Sequence, residues 1–172
     1  MIDADWYRSE NLYGQLGELK AQEIMLMKGY HIYEPKNCSS VSDFIAEKDG
    51  EFYRVQSKMK QVYQASACAK EKSRQGSVRL DLRRNRRKHQ SAYKQFYDLD
   101  YINIFTLYVP DIDKVLFFRK ADFQYITPRG TKPTSLQIRV HDIEKAQKNT
   151  RNSCVRPYHQ FVSPSWLDTG DI

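Results

Sequence analysis

The chain has 172 residues and a net charge of +7, from 28 lysines and arginines against 21 acidic residues. Its 12 Tyr, 8 Phe and 2 Trp exclude wholesale disorder, and no stretch approaches the roughly 18 uninterrupted apolar residues of a membrane span. The acidic first residues predict no signal peptide. Three widely spaced cysteines without a CxxC pair favour a reducing cytosol over disulfides or a cysteine zinc site.

The first predicted element is a helix over residues 12–28. Apolar residues recur there at intervals of three and four, and Gly29 is a typical residue just beyond a helix end. The side chains expected to face the core are Leu12, Leu16, Leu19, Leu26 and Met27.

Three strands are predicted to follow as a meander. They cover residues 30–33, 43–47 and 51–58, with a polar loop between the first two. The dipeptide Asp49-Gly50 joins the second and third strands and is a favoured hairpin turn.

Beyond the meander, residues 77–83 alternate apolar and polar, which predicts a half-buried strand with Arg79, Asp81 and Arg83 on its exposed side. Residues 86–99 are predicted to form a helix.

The next segment, 101–109, is nearly continuously apolar and suits a central buried strand, and residues 115–118 return beside it. A short helix over 142–149 and an irregular tail over 151–172 complete the expected chain. We therefore expect one α/β domain around a mixed sheet over residues 1–172.

The positive charge is concentrated in one segment. Residues 70–94 hold ten basic and two acidic residues, a net charge of +8, which leaves −1 for the rest of the chain. Such a cluster is typical of a polyanion partner, although a solvated basic face has the same composition. No glycine-rich phosphate loop is present, so we expect no nucleotide cofactor.

Four residues around the predicted hairpin carry the most specific chemistry. Asp43 begins the second strand of the meander, and its third strand ends with Gln56, Ser57 and Lys58. These residues should therefore meet at one end of the sheet. Carboxylate, amide and main-chain oxygens are ligands for a divalent metal, and a nearby ammonium stabilises negative charge. This chemistry suits hydrolysis of a phosphodiester.

The order Asp43, hairpin, Gln56-x-Lys58 resembles the signature of the PD-(D/E)xK nuclease superfamily. Upstream, residues 14–18 are similar to the first-helix motif of its Holliday-junction-resolvase-like branch. The motif most resembles that of the intron-encoded homing endonucleases of bacterial tRNA genes. Two departures stand out: Ser42 occupies the place of the name-giving proline, and Gln56 replaces an acid.

This resemblance implies a restriction-endonuclease-like mixed β-sheet core flanked by helices. It implies a site-specific, double-stranded DNA endonuclease of homing type that uses Mg²⁺, with Mn²⁺ as a substitute ion. The metal ligands would be Glu18, Asp43, Gln56 and the carbonyl of Ser57, and Lys58 would orient water or stabilise charge. The expected setting is the cytoplasm of a prokaryotic or phage-infected cell, close to the nucleoid.

DNA is expected to contact the basic segment. Arg79 and Arg83 are the candidates for base contacts in the major groove. The candidates for phosphate contacts are Arg84, Arg86, Arg87 and Lys88. Because one site cuts one strand, double-strand cleavage implies a homo-oligomer, either a dimer or a tetramer.

Several alternatives stay open. Glu23 competes with Glu18 as the helix ligand, because it lies nearer the centre of the apolar side. The aromatic strands over 101–109 and 115–118 form either an interface or core. The activity is alternatively that of a structure-selective nuclease such as a junction resolvase, or the chain is a non-catalytic DNA-binding protein, which Gln56 would favour.

Overall fold

The structure is a computed structural model that describes residues 6–36, 40–63, 76–88, 91–123, 135–141, 155–170 and 172. In chain order, the helices and strands are α1 (Trp6–Met27), β1 (His31–Tyr33), β2 (Phe44–Lys48), β3 (Glu51–Met59), β4 (Ser77–Asp81), β5 (Arg83–Lys88), β6 (Ser91–Phe96), β7 (Ile104–Val109), β8 (Lys114–Arg119), β9 (Ser135–Arg139), β10 (Val155–Pro157) and α2 (Ser165–Thr169). None of the described helices is long and apolar enough to cross a membrane.

The main sheet has five strands in the order β1-β2-β3-β7-β8. The meander β1-β2-β3 is antiparallel, as its turn dipeptide predicted, and Asp49 and Gly50 both have positive φ there. Strand β7 then joins β3 in parallel and β8 joins β7 antiparallel, so the sheet is mixed. This matches the predicted α/β class.

A second sheet, in the order β10-β9-β4, packs on one face of the main sheet. Strand β7 alternates between the two faces. Phe105 and Leu107 belong to the core shared with the second sheet, whereas Ile104 and Tyr108 belong to the core under α1. Because every residue of β7 is buried, the aromatic strands are core, and the alternative that they form an interface is wrong.

Helix α1 contacts the main sheet through two small residues and a methionine rather than through its leucines. Gly17, Ala21 and Met25 are buried, and a Cβ added at Gly17 would lie 3.2 Å from the Cβ of Met59 on β3. The predicted core-facing side is therefore wrong. Its residues are instead exposed: Leu12, Leu16, Leu19, Leu26 and Met27.

The predicted helix over residues 86–99 is also wrong, because β5 and β6 form an antiparallel ribbon there. Its register runs from Arg83 opposite Phe96 to Lys88 opposite Ser91. Arginine and lysine are good helix formers in isolation, but cross-strand pairing overrides this modest preference. The strand predicted over 77–83 ends at Asp81, where a bend at Leu82 starts the ribbon.

The chain end packs on the core instead of forming the expected irregular tail. Strand β10 pairs in parallel with β9, and Leu167 of α2 is fully buried. Tyr30 donates a hydrogen bond to the carbonyl of Leu167 and Tyr53 donates one to that of Gly170, each 2.9 Å long. The predicted helix over 142–149 lies outside the described residues.

Candidate active site

The site begins where β2 and β3 start to separate. Phe44 is paired with Val55, and the amide of Asp43 donates to the Val55 carbonyl at 2.9 Å, so Asp43 stands opposite Gln56. The side chains of Gln56 and Lys58 share one face of β3 because strand residues alternate. The structure thus brings the predicted hairpin residues to one sheet end.

Asp43 is held by its neighbours on β3. Its Oδ2 accepts a hydrogen bond from the Ser57 amide at 2.7 Å and another from the Gln56 side-chain amide. Burial raises the pKa of Asp43 above its ordinary value, and the Ser57 amide, the Lys58 charge and the Gln56 bond offset only part of that rise. The carboxylate is therefore fixed in orientation by hydrogen bonds that favour its charged form.

Gln56 is only 4% exposed and uses its amide nitrogen on Asp43. The same nitrogen lies 3.3 Å from the Ser57 carbonyl oxygen. With the amide turned this way, its nitrogen faces the oxygens of Asp43 and Ser57, so the amide would have to turn over to offer its oxygen to a cation held by them. A glutamate here would instead set a second carboxylate against Asp43, which costs electrostatic energy.

Lys58 is positioned by a residue that the sequence did not single out. Its ammonium donates to the hydroxyl of Tyr97 at 2.7 Å and lies 5.1 Å from the centre of that ring. Tyr97 is buried and packs edge-to-face on Phe105 with ring centres 5.5 Å apart. No spacing rule connects the two residues, since 39 positions separate them along the chain.

Glu18 extends from α1 beside the close contact at Gly17. Burial, then the Asp43 and Glu34 carboxylates, raise the pKa of Glu18 to about 7, and Lys58 partly opposes this. Glu18 is therefore within electrostatic reach of both ends of the hairpin site. Glu34 is a further carboxylate near the site, which sequence reasoning did not identify.

Glu23, the alternative to Glu18, lies on the solvent side of the same helix. It is exposed and accepts a hydrogen bond from Lys20 at 3.4 Å. The five positions between the two glutamates turn them to different sides of α1. The structure therefore brings Glu18, and not Glu23, towards Asp43 and Lys58.

The oxygen donors at this site suit a hard divalent cation. Two carboxylates, the Gln56 amide oxygen and the Ser57 carbonyl are oxygen donors of the kind that Mg²⁺ and Mn²⁺ accept. Within the described residues, no three His, Cys, Asp or Glu side chains are grouped as a metal site. The set fits a cation that completes its shell with water and substrate phosphate, as Mg²⁺ does.

The basic segment splits into three parts in the structure. Arg79 is exposed on β4, as predicted for a DNA contact. Arg83 instead grips Asp81 through two side-chain hydrogen bonds of 2.9 and 3.1 Å, so its guanidinium fork is already occupied. Arg84, Arg86, Arg87 and Lys88 lie on β5, but their side chains are outside the described part of the chain.

The ribbon β5-β6 is anchored at the site itself. The amide of Tyr97, directly after β6, donates to the carbonyl of Leu82 at 2.9 Å and closes the base of the ribbon. The hydroxyl of the same Tyr97 holds Lys58. Strand β5, the most basic of the described strands, therefore starts beside the proposed catalytic lysine.

Comparison with known proteins finds a matching family model and a similar solved structure. A family model described as PD-(D/E)XK endonuclease matches residues 9–154. A solved structure of a bacterial homing endonuclease, I-Ssp6803I, is similar at a TM-score of 0.63 and 18% sequence identity, covering 95% of this chain and 96% of that chain. That likeness shows a shared fold, consistent with the expected restriction-endonuclease-like architecture. No curated protein matches the sequence.

Proposed function

The chain belongs to the PD-(D/E)XK endonuclease family, and we propose that it is a metal-dependent, site-specific endonuclease of homing type that cuts double-stranded DNA. The observation that carries this proposal is the convergence of Glu18, Asp43, Gln56 and Lys58 at one end of the main sheet. The similarity to a bacterial homing endonuclease supports the homing type.

Each residue has a chemical task in this proposal. Asp43 and Glu18, with the Gln56 amide oxygen and the Ser57 carbonyl, would hold the cation. When bound there, Mg²⁺ supplies Lewis acidity towards water and phosphate. Lys58, fixed by the Tyr97 hydroxyl, stabilises the negative charge that develops on the phosphate oxygens or orients the attacking water.

DNA binding would rest on the ribbon and on Arg79. Phosphate contacts from β5 place the duplex against the site, because the ribbon begins at Leu82 and ends at Tyr97 beside Lys58. Since a single site cuts a single strand, the active species would be a homo-oligomer.

Cleavage of DNA that flanks the gene, in Mg²⁺ or Mn²⁺, tests the activity and its specificity together. We expect discrete double-strand cuts by the wild type and none by Asp43→Asn or Lys58→Met. Matched controls are Asp49→Asn, at an exposed turn position with φ 54° that Asn tolerates, and Lys60→Met, exposed just after β3. Undiminished cutting by Asp43→Asn, or no cutting with either metal, would overturn the proposal.

A non-catalytic DNA-binding protein is the second candidate, because Gln56 directs its amide nitrogen, and not an acid, at Asp43. Metal binding separates the two functions. A nuclease should gain thermal stability from Mg²⁺ through Asp43 and lose that gain in Asp43→Asn. If neither Mg²⁺ nor Mn²⁺ changes the melting temperature while DNA still binds, the binding-only function is correct.

A further inference from the structure

Helix α1 has a second apolar side that no described part of the fold covers. Leu12, Leu16, Leu19 and Leu26 follow one another at intervals of four, three and seven residues, and Glu23 stands at the intermediate position. This alternation of four and three is the spacing of a coiled-coil seam. We call the five positions the leucine stripe.

The leucine stripe is exposed, because the opposite side of α1 packs on the sheet through Gly17, Ala21 and Met25. Its leucines keep between 39% and 63% of their surface accessible. Tyr13 and Met27 extend the apolar surface on one flank. Exposed apolar side chains that follow one regular seam, unlike scattered ones, indicate a binding surface.

DNA is an unsuitable occupant for this surface. The described side chains of α1, from Leu12 to Met27, include one lysine and two glutamates, whereas DNA needs a basic face. Nor are strands β7 and β8 available for self-association, since they are core. The apolar side of α1 is therefore better suited to a protein partner than to DNA.

We propose that this partner is a second copy of the chain, and that two α1 helices pair antiparallel along their leucine stripes. The six exposed apolar residues present on the order of 600 Å² per copy, or roughly 1,200 Å² in the pair, the lower end of a standard protein interface. They are Leu12, Tyr13, Leu16, Leu19, Leu26 and Met27.

The antiparallel direction follows from the position of Glu23. In a parallel pair each residue faces the residue of the same number on the other helix, which would bring two Glu23 carboxylates together in the seam. In the antiparallel pair Glu23 faces Leu16 at the other copy and keeps its bond to Lys20. Leu19 then faces Leu19 of the other helix, and Leu12 faces Leu26. The four leucines of each helix therefore contribute to the seam.

This pairing rests on the homo-oligomer of the proposed function and identifies the surface through which the two copies would associate. Its test measures mass and not cleavage, so the pairing and the nuclease activity fail independently. By sedimentation equilibrium we expect wild type to self-associate and Leu19→Glu to weaken that association at least about tenfold. The matched control is Phe52→Glu on β3, since Phe52 is 63% exposed and Leu19 is 60% exposed.

Wild-type circular dichroism spectra and a single cooperative unfolding transition would show that both exposed variants fold, while Leu19→Glu should also lose the stability that association adds. A wild type that stays monomeric, or a Leu19→Glu variant with wild-type mass, overturns the proposal. Equal losses in Leu19→Glu and Phe52→Glu also overturn it.

Cysteine cross-linking tests the direction. Leu19→Cys should form a covalent dimer on mild oxidation beyond the wild-type background, and Leu12→Cys should not. Equal cross-linking of both variants would indicate a parallel pair and contradict the proposed direction.

Discussion

At the residue scale, the least expected feature is that Tyr97 holds the Lys58 ammonium in position. The hydroxyl lies 2.7 Å from the ammonium, while the ring packs on Phe105. Tyr97→Phe keeps the ring and removes one hydrogen bond to a charged group, worth about 1.5–3 kcal/mol. If the bond aims Lys58 at the phosphate, we expect kcat to fall at least about tenfold with DNA affinity unchanged.

Tyr108→Phe is a matched control for that substitution. Tyr108 and Tyr97 are both 7% exposed, and the Tyr108 hydroxyl donates to Asp113 at 2.9 Å on the other face of the sheet. Single-turnover cleavage and DNA affinity should be measured for both variants. Equal kcat values in Tyr97→Phe and wild type would show that Tyr97 only packs.

Glu18 gives a second prediction at this scale, for the metal-free protein. Its pKa is raised from 4.5 to about 7 by burial and by the Asp43 and Glu34 carboxylates. The folded state then binds more protons than the unfolded state between these pH values, so the stability that Glu18 contributes falls as pH rises from about 4.5 to about 7. Glu18→Gln removes this loss.

We therefore expect the free energy of unfolding of Glu18→Gln, relative to wild type, to increase between pH 5 and pH 8. The increase should be about 1–2 kcal/mol, discounted because the carboxyl is partly exposed. Urea denaturation in EDTA at the two pH values measures it. Glu51→Gln, at an exposed position at the start of β3, serves as the control, and parallel pH profiles for Glu18→Gln and wild type would contradict the prediction.

At the element scale, the close contact between α1 and β3 depends on one glycine. A Cβ at Gly17 would lie 3.2 Å from the Met59 Cβ and 3.4 Å from the Lys58 carbonyl, whereas a Cβ at Gly14 meets nothing within 4 Å. Gly14→Ala should therefore gain the full helix propensity of alanine, about 1 kcal/mol. Gly17→Ala should lose that gain to strain, and denaturant unfolding of both variants checks the difference.

Activity adds a second readout for the same pair. Displacing α1 from β3 moves Glu18 relative to Asp43, so Gly17→Ala should cut DNA more slowly than Gly14→Ala. Equal stabilisation and equal cleavage rates would show that the contact at Gly17 tolerates a methyl group.

Elements with a strong local signal were predictable from the sequence. The Asp49-Gly50 turn predicts the β2-β3 hairpin, and the hairpin in turn fixes Asp43 opposite Gln56. The continuous apolar run of β7 likewise predicts a buried strand.

Elements defined by tertiary contacts were not predictable in this way. Periodicity found the leucine-rich side of α1 but not the side that the sheet covers, because glycine and alanine at positions 17 and 21 carry little apolar signal and leave Met25 as the one large buried side chain there. The charged ribbon has no pattern that separates a strand from a helix, and only its pairing defines it. Tyr97 reaches the site because that ribbon ends beside β3.

At the scale of the whole molecule, the charge distribution determines how DNA binding responds to salt. Residues 70–94 carry +8 and the remainder carries −1, so phosphate contacts should concentrate on the segment that ends beside the active site. Each lysine that neutralises a phosphate adds about 0.9 to the slope of log K against log salt. Lys88→Ala on β5 should therefore reduce that slope by about 1 on every DNA sequence.

Arg79→Ala should behave differently, because Arg79 is exposed on β4, which the bend at Leu82 separates from the ribbon. If Arg79 reads a base, its loss changes the order of preferred sites by about 1–3 kcal/mol at one position. Lys114→Ala, exposed on β8 outside the basic segment, is the control for both variants. Binding isotherms over a salt series and a randomised site library separate the two effects. If Arg79→Ala and Lys88→Ala lose affinity equally on all sequences, the basic segment contacts only the DNA backbone. Sequence specificity must then come from other parts of the chain.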